Sequence, residues 1–245
     1  MSFIFMLLAP IYYYNLPLFF WINGWNPWLL DPVFGVLSGF GDGLVIALIV
    51  AVISFYRLRL GIAGLLAFIV SGLLAQLLKR MFDLPRPPAV FEHVHLLGHA
   101  LQSHSFPSGH ATSCGVMLLL GVLLWSTKSW QAWLFAVPFM LAALGRVYGG
   151  VHFPVDVWVG LWMGLLTMWG CWWLSARLPI VAWQASPWLP RILGVIVMIE
   201  AGVLGLGYPM QPVTAQPLAA ILPPVALFLL WQYWKKTIAS PLKAA

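Results

Sequence analysis

The sequence predicts an all-α, polytopic membrane helix bundle. Of its 245 residues, 62% are hydrophobic and only 7% are charged. An ordinary soluble domain is about half apolar and about a quarter charged. The mean hydropathy is +0.93. The apolar residues also fall in long runs without strict alternation, which is the length pattern of membrane helices and not of barrel strands. In lipid the backbone must pair with itself, so these runs must be helical.

The first run, residues 3–22, is interrupted by Pro10, Asn15 and Pro17. It lacks the basic start and small-residue cleavage site of a signal peptide. It either spans or lies in the interface with Trp21, Trp25 and Trp28 as anchors, and spanning is the reading carried forward. Further runs cover about 33–55, 60–78, 109–126, 130–147, 153–175, 189–208 and 217–234. Each is close to the ~20 residues a bilayer requires, giving seven or eight spans. The connection 80–107 is too polar to cross. No repeat, low-complexity tract or soluble domain interrupts the series. Cys114 and Cys171 sit in apolar stretches and read as small packing residues, not as a disulfide.

The net charge of +6 does not indicate nucleic acid, because the basic residues are scattered and flank apolar runs. Tracing the chain back and forth sorts them into two sets. Arg57, Arg59, Lys128, Arg177, Arg191, Lys235, Lys236 and Lys243 fall on one side; Lys79, Arg80, Arg86 and Arg146 fall on the other. The positive-inside rule makes the larger set cytoplasmic. The smaller set then faces outwards, and all six histidines share that side.

Three polar clusters meet at this outer face: Lys79…Arg86-Pro87, Pro107-Ser108-Gly109-His110, and Arg146…His152…Asp156. Ionisable groups at membrane depth are costly and are functional candidates by default. Lys79 ends a run, and Pro87 presents Arg86 from a loop. Ser108 precedes a long apolar run and reads as an N-cap, so Gly109 offers free N–H groups at a positive helix end. Pro154 suits a first helical turn, with His152 just before it and Asp156 one turn in, within hydrogen-bonding reach. Cations, two helix starts and two imidazoles together suit a phosphate, whose oxygens match a guanidinium fork. Singly, each has a plain structural reading: Lys79-Arg80 as a snorkelling anchor, Ser108 as a cap, Arg146 with Asp156 as an ion pair.

The order Lys-x6-Arg-Pro, Pro-Ser-Gly-His, Arg-x5-His-x3-Asp, spread over residues 79–156, resembles the three-part signature of the type-2 phosphatidic acid phosphatase superfamily. Those integral-membrane lipid phosphate phosphatases share it with soluble vanadium haloperoxidases and bacterial acid phosphatases. The resemblance implies a six-helix phosphatase core, placed at residues 1–178, with 179–245 as a C-terminal transmembrane hairpin and basic tail. It implies His152 as a nucleophile forming a phosphohistidine, Asp156 as its orienting carboxylate, and His110 as the acid and then base. Lys79, Arg86, Arg146, Ser108 and the Gly109 N–H would bind the phosphate, with no metal and no cofactor. One departure stands out: the family usually has Ser before the third-motif Arg, and this chain has Gly145.

The resemblance points to hydrolysis of a lipid phosphate or pyrophosphate at the outer face of a bacterial-type inner membrane. Undecaprenyl pyrophosphate is the first choice. Phosphatidylglycerol phosphate, phosphatidic acid and lipid A 1-phosphate follow, and a lipid phosphotransferase would carry the same signature. A transporter or flippase is the rival of another class, but it predicts an inverted repeat and mid-bilayer polar groups in several spans. The expected partners are the lipid phosphate and the bilayer, without nucleic acid. His93, His95, His99 and His104 are spaced too loosely for a zinc site and read as a headgroup- or pH-sensing loop. Asp42 either bounds the pocket or satisfies a helix break. Glu200 lies alone in an apolar run, either bonded within the hairpin or lining a groove.

Overall fold

The computed structural model describes residues 3–186 and 188–239, so Lys243 lies outside the described residues. Among the described residues the chain is helical and contains no strand. The helices are α1 (Phe3–Gly24), α2 (Asp31–Ser38), α3 (Gly43–Tyr56), α4 (Leu58–Phe82), α5 (Pro87–Val90), α6 (Gly109–Trp125), α7 (Trp130–Tyr148), α8 (Pro154–Ser175), α9 (Ile180–Ala185), α10 (Trp188–Gly205) and α11 (Gln216–Ala239). By length and apolarity α4, α7, α8, α10 and α11 can each cross a bilayer. The chain is a multi-pass membrane protein.

The run expected as one span at 33–55 is broken. Helix α2 passes through a 3-10 turn, Gly39–Gly41, and α3 leaves at an angle of 57°. Asp42 causes the restart: its backbone is extended, with φ −66° and ψ 139°, and its Oδ1 accepts the Leu44 N–H at 2.9 Å. That is an N-cap, so of the two readings for Asp42 the structure supports satisfaction of a helix break. Its Oδ2 accepts the Tyr208 hydroxyl at 3.1 Å, tying the break to the chain after α10.

The centre of the bundle is the α6–α8 crossing. A Cβ at Gly115 would run into the Leu161 carbonyl, and one at Gly164 into the Thr112 carbonyl. Small residues at these positions let the two backbones touch, as membrane helices require where no hydrophobic drive exists between them. The crossing brings the two helix starts side by side, and the Ser108 N–H reaches the Asp156 carbonyl at 3.0 Å.

Helix α3 joins two cores. Ile46 and Val50 pack with Met117 and Leu120 of α6 and Phe139 of α7. Val45, Leu48 and Ala51, on another face of the same helix, pack with Val197 and Leu204 of α10 and Leu230 of α11. Helical spacing separates the two faces. Lys79, Arg86 and Arg146 lie at one end of the bundle, where α4 and α7 finish and α6 and α8 begin. Arg57, Arg59 and Arg177 lie at the other end, where α4 begins and α8 finishes.

Candidate active site

The three clusters converge. Lys79 stands in the last turn of α4 and Arg146 in the last turn of α7. Arg86 immediately precedes α5, whose first residues are Pro87 and Pro88, so its backbone is extended, with φ −90° and ψ 164°. Ser108 caps α6; its Oγ accepts the Ala111 N–H at a long 3.4 Å. Nothing lies within 4 Å of where a Cβ on Gly109 would sit, so the side-chain face of this residue is open space. His152 closes the short connection from α7 to α8, and Asp156 is in the first turn of α8.

Arg86 and His152 are in direct contact. Arg86 Nη1 lies 3.2 Å from His152 Nε2 and donates to the Val151 carbonyl at 3.1 Å. A guanidinium has no acceptor, so Nε2 must present its lone pair and the ring proton must sit on Nδ1. The nearest carboxylate is Asp156, whose Oδ2 is 3.4 Å from Nδ1. The pair is adjacent but does not reach hydrogen-bond geometry, and Nδ1 has no partner among the described residues. The same Oδ2 is instead held by the Ser105 hydroxyl at 2.5 Å and the Phe153 N–H at 2.9 Å. Burial pushes the His152 imidazole well below its usual range, and the charges of Arg86, Arg146 and Lys79 push it further. It is therefore a neutral base with a free electron pair.

Asp156 lies near Lys79 and Arg86, and Asp42 near Arg146, but none of these carboxylates closes an ion pair with them among the described residues. Lys79, Arg86 and Arg146 are each 8% exposed. Lys79 Nζ donates to the His104 carbonyl at 2.6 Å, and Arg86 Nε to the Ser103 carbonyl at 2.8 Å. Arg146 Nε is buried without a partner, as is His110 Nε2. None of the three forms an ion pair with a carboxylate among the described residues. The charges of Arg146, Arg86 and Lys79 all bear on the His110 ring. Buried positive charge of this density is expensive unless an anion neutralises it. No cluster of three or more His, Cys, Asp or Glu able to hold a metal ion occurs among the described residues.

Several supporting residues escaped the sequence reading. Ser105 is fully buried and fixes Asp156. Asn15 Oδ1 accepts the Val155 N–H at 3.0 Å in the first turn of α8. Asn23 Nδ2 donates to the carbonyls of His95 and Tyr148, each at 2.8 Å, and pins the polar loop to α7. Ser38 places its Oγ 3.0 Å from the point a Cβ on Gly145 would occupy, so the space of the family serine is taken by a hydroxyl from α2. A lone Asn in an apolar run is a legible signal; Ser38 and Ser105 had none.

The loop histidines serve separate contacts. His95 Nε2 meets Asp31 Oδ1 at 2.9 Å, and the Tyr148 hydroxyl donates to the same oxygen at 2.6 Å. His104 Nε2 lies 3.5 Å from Asp83. Arg80 is exposed. Glu200 Oε2 is buried without a partner among the described residues, and nothing in the structure explains it.

Comparison with known proteins assigns the family. Residues 60–179 match the PAP2 superfamily. The putative undecaprenyl-diphosphatase YbjG of Escherichia coli is 31% identical over 70% of this chain and 83% of its own. The lipid A 1-phosphatase of Rhizobium etli is 37% identical over 40% of this chain, which spans only 45% of that protein. The crystal structure of Aquifex aeolicus LpxE superposes with a TM-score of 0.59 at 30% identity, covering 67% of this chain and 95% of that one. A matched helical fold, a matched family segment and relatives named as lipid phosphatases lead to one conclusion: the chain belongs to the PAP2 superfamily.

Proposed function

We propose that the protein hydrolyses a lipid phosphate or diphosphate through a phosphohistidine on His152. The observation that carries this reading is the contact of Arg86 with His152 Nε2 inside a group of buried cations that close no ion pair with a carboxylate among the described residues. A phosphate arriving there takes the guanidinium as a bidentate partner and releases the Nε2 lone pair. Nε2 attacks phosphorus while the bond from phosphorus to the lipid oxygen breaks, and His110, which takes up a proton as the negatively charged phosphate enters, gives that proton to the leaving oxygen. Neutral His110 then removes a proton from water, the water oxygen displaces Nε2, and phosphate leaves. Asp156, 3.4 Å from Nδ1 in the resting site, closes on the Nδ1 proton as the ring becomes charged and stabilises it between the two steps. Lys79, Arg86, Arg146, Ser108 and the Gly109 N–H bind the equatorial oxygens as their charge grows.

Met81, Phe82, Leu84 and Val90, which flank Lys79 and Arg86 along the chain, are exposed. This apolar lip suits a substrate whose tail stays in the bilayer. Undecaprenyl pyrophosphate remains the first choice, in keeping with the name of the E. coli relative. Lipid A 1-phosphate, phosphatidylglycerol phosphate and phosphatidic acid are the alternatives, and a phosphotransferase would pass through the same intermediate. The larger basic set at the opposite end favours an inner membrane with this site on the periplasmic face. Residues 1–178 form the proposed phosphatase unit, and 179–245 the hairpin added to it.

The test is phosphate release from a panel of these lipids in detergent, with chelator present. Wild type should turn over at least one, and His152→Ala should lower its rate by on the order of 10³-fold or more. Undiminished release by His152→Ala, or loss of activity on chelation, would refute the mechanism.

A further inference from the structure

We propose that two adjoining cavities at the bundle end remote from the active site bind an anionic glycerophospholipid of that leaflet. The first cavity, about 520 Å³, lies between α3, α6, α7 and α11. Leu48, Val52, Leu124, Phe135, Val225 and Leu229 are among its walls, and Arg57 is its only charged lining residue. The second, about 390 Å³, shares Tyr56, Arg57 and Leu124 with the first and adds Arg59, Trp172 and Gln184. Each has the volume of a small-molecule site. Together they form an apolar chamber that continues into a cationic one.

The charge pattern selects the occupant. None of the chain's six acidic residues lines either cavity. Arg59 is held in place: its Nε donates to Ser175 Oγ at 3.0 Å, and its guanidinium lies 4.1 Å from the Trp172 ring centroid. Arg57 is exposed, and its side chain has no hydrogen bond or ion pair among the described residues. A free guanidinium beside a fixed one, at the mouth of an oily chamber, matches an anionic phosphodiester with its acyl chain inward. Trp125 and Trp172 mark the interfacial depth at which such a headgroup sits. One wall of the chamber comes from α11, and the Tyr56 hydroxyl donates to the Leu229 carbonyl at 2.9 Å across its mouth. The lipid therefore bridges the C-terminal hairpin to the helices that carry the active site, a place the family signature does not reach.

Native mass spectrometry of the full chain in detergent tests this with phosphatidylglycerol and phosphatidylcholine of identical acyl chains. Phosphatidylglycerol carries no phosphomonoester, so the proposed chemistry at His152 leaves it intact. Wild type should retain it about fivefold over phosphatidylcholine, as one arginine near a headgroup contributes. Arg57→Gln should erase that preference while chain binding persists. Ala226→Trp should fill the chamber and remove both adducts. Equal retention of the two lipids by wild type, or an unchanged preference in Arg57→Gln, would overturn the proposal. So would a preference lost in Arg146→Gln in place of Arg57→Gln, which would put the lipid in the active site. Inorganic phosphate displacing phosphatidylglycerol from Arg146→Gln, in which the active-site anion pocket is impaired, would identify a free-anion site at Arg57 and equally overturn it.

Discussion

At the scale of single residues, the account turns on the protonation of His152 and the space around Gly109 and Gly145. Burial and three nearby cations hold the His152 ring neutral, and Arg86 fixes the proton on Nδ1. Its pKa is depressed, so the neutral form persists as pH falls through the ordinary imidazole value of about 6.5. Nitrogen-15 NMR of histidine-labelled protein should show His152 as the Nδ1–H tautomer at that pH; an imidazolium signal there would contradict the geometry. Gly109 is a different case, because a methyl group at this position meets nothing in the protein. Gly109→Ala should keep the wild-type melting temperature yet lower kcat/KM by about 10²-fold, since the methyl occupies the face offered to phosphate. At Gly145 a side chain meets Ser38 Oγ. Gly145→Ser should destabilise alone and be relieved by Ser38→Gly, with a coupling of about 0.5–3 kcal/mol in a double-mutant cycle. Additive melting shifts would show that the two positions do not compete.

At the scale of elements, most helices were legible because apolar run length is a direct consequence of bilayer thickness. The N-cap of α6 at Ser108 and the first-turn Pro154 of α8 were readable for the same reason: each is a local chemical requirement of a helix start. The break between α2 and α3 was only half legible. Gly39-Phe40-Gly41-Asp42-Gly43 announces an interruption, but the 57° bend depends on Tyr208 and the packing of α10, which come from distant sequence. Helical spacing places Asp156 within reach of His152, and the two are 3.4 Å apart, but the hydrogen bond that Ser105 makes to the carboxylate is not visible in that spacing. No local pattern could have revealed that, because the loop carrying Ser105 packs back over α8 through non-local contacts. The α6–α8 crossing makes its own prediction. Gly164→Ala puts a methyl against the Thr112 carbonyl and should cost about 1–3 kcal/mol, read as a lower melting temperature. An unchanged melt would mean that the two backbones do not touch there.

At the scale of the whole molecule, the fold gathers positive charge where four helices end or begin and, among the described residues, leaves it without a closed ion pair to a carboxylate. That arrangement is unfavourable in the resting protein and favourable once a phosphate arrives, which is how a binding site for an anion differs from a structural ion-pair network. The hairpin of α10 and α11 leans on α3, reaches the helix break through Tyr208 and walls the chamber at the far end. The most direct test of the central claim is rapid-quench trapping with a lipid substrate labelled in its terminal phosphate, followed by peptide mapping. The account predicts an acid-labile phosphoryl group on His152, absent in His152→Ala and accumulating in His110→Asn, where water is no longer activated. Label on any other residue, or turnover with no protein-bound phosphate at any time, would contradict it.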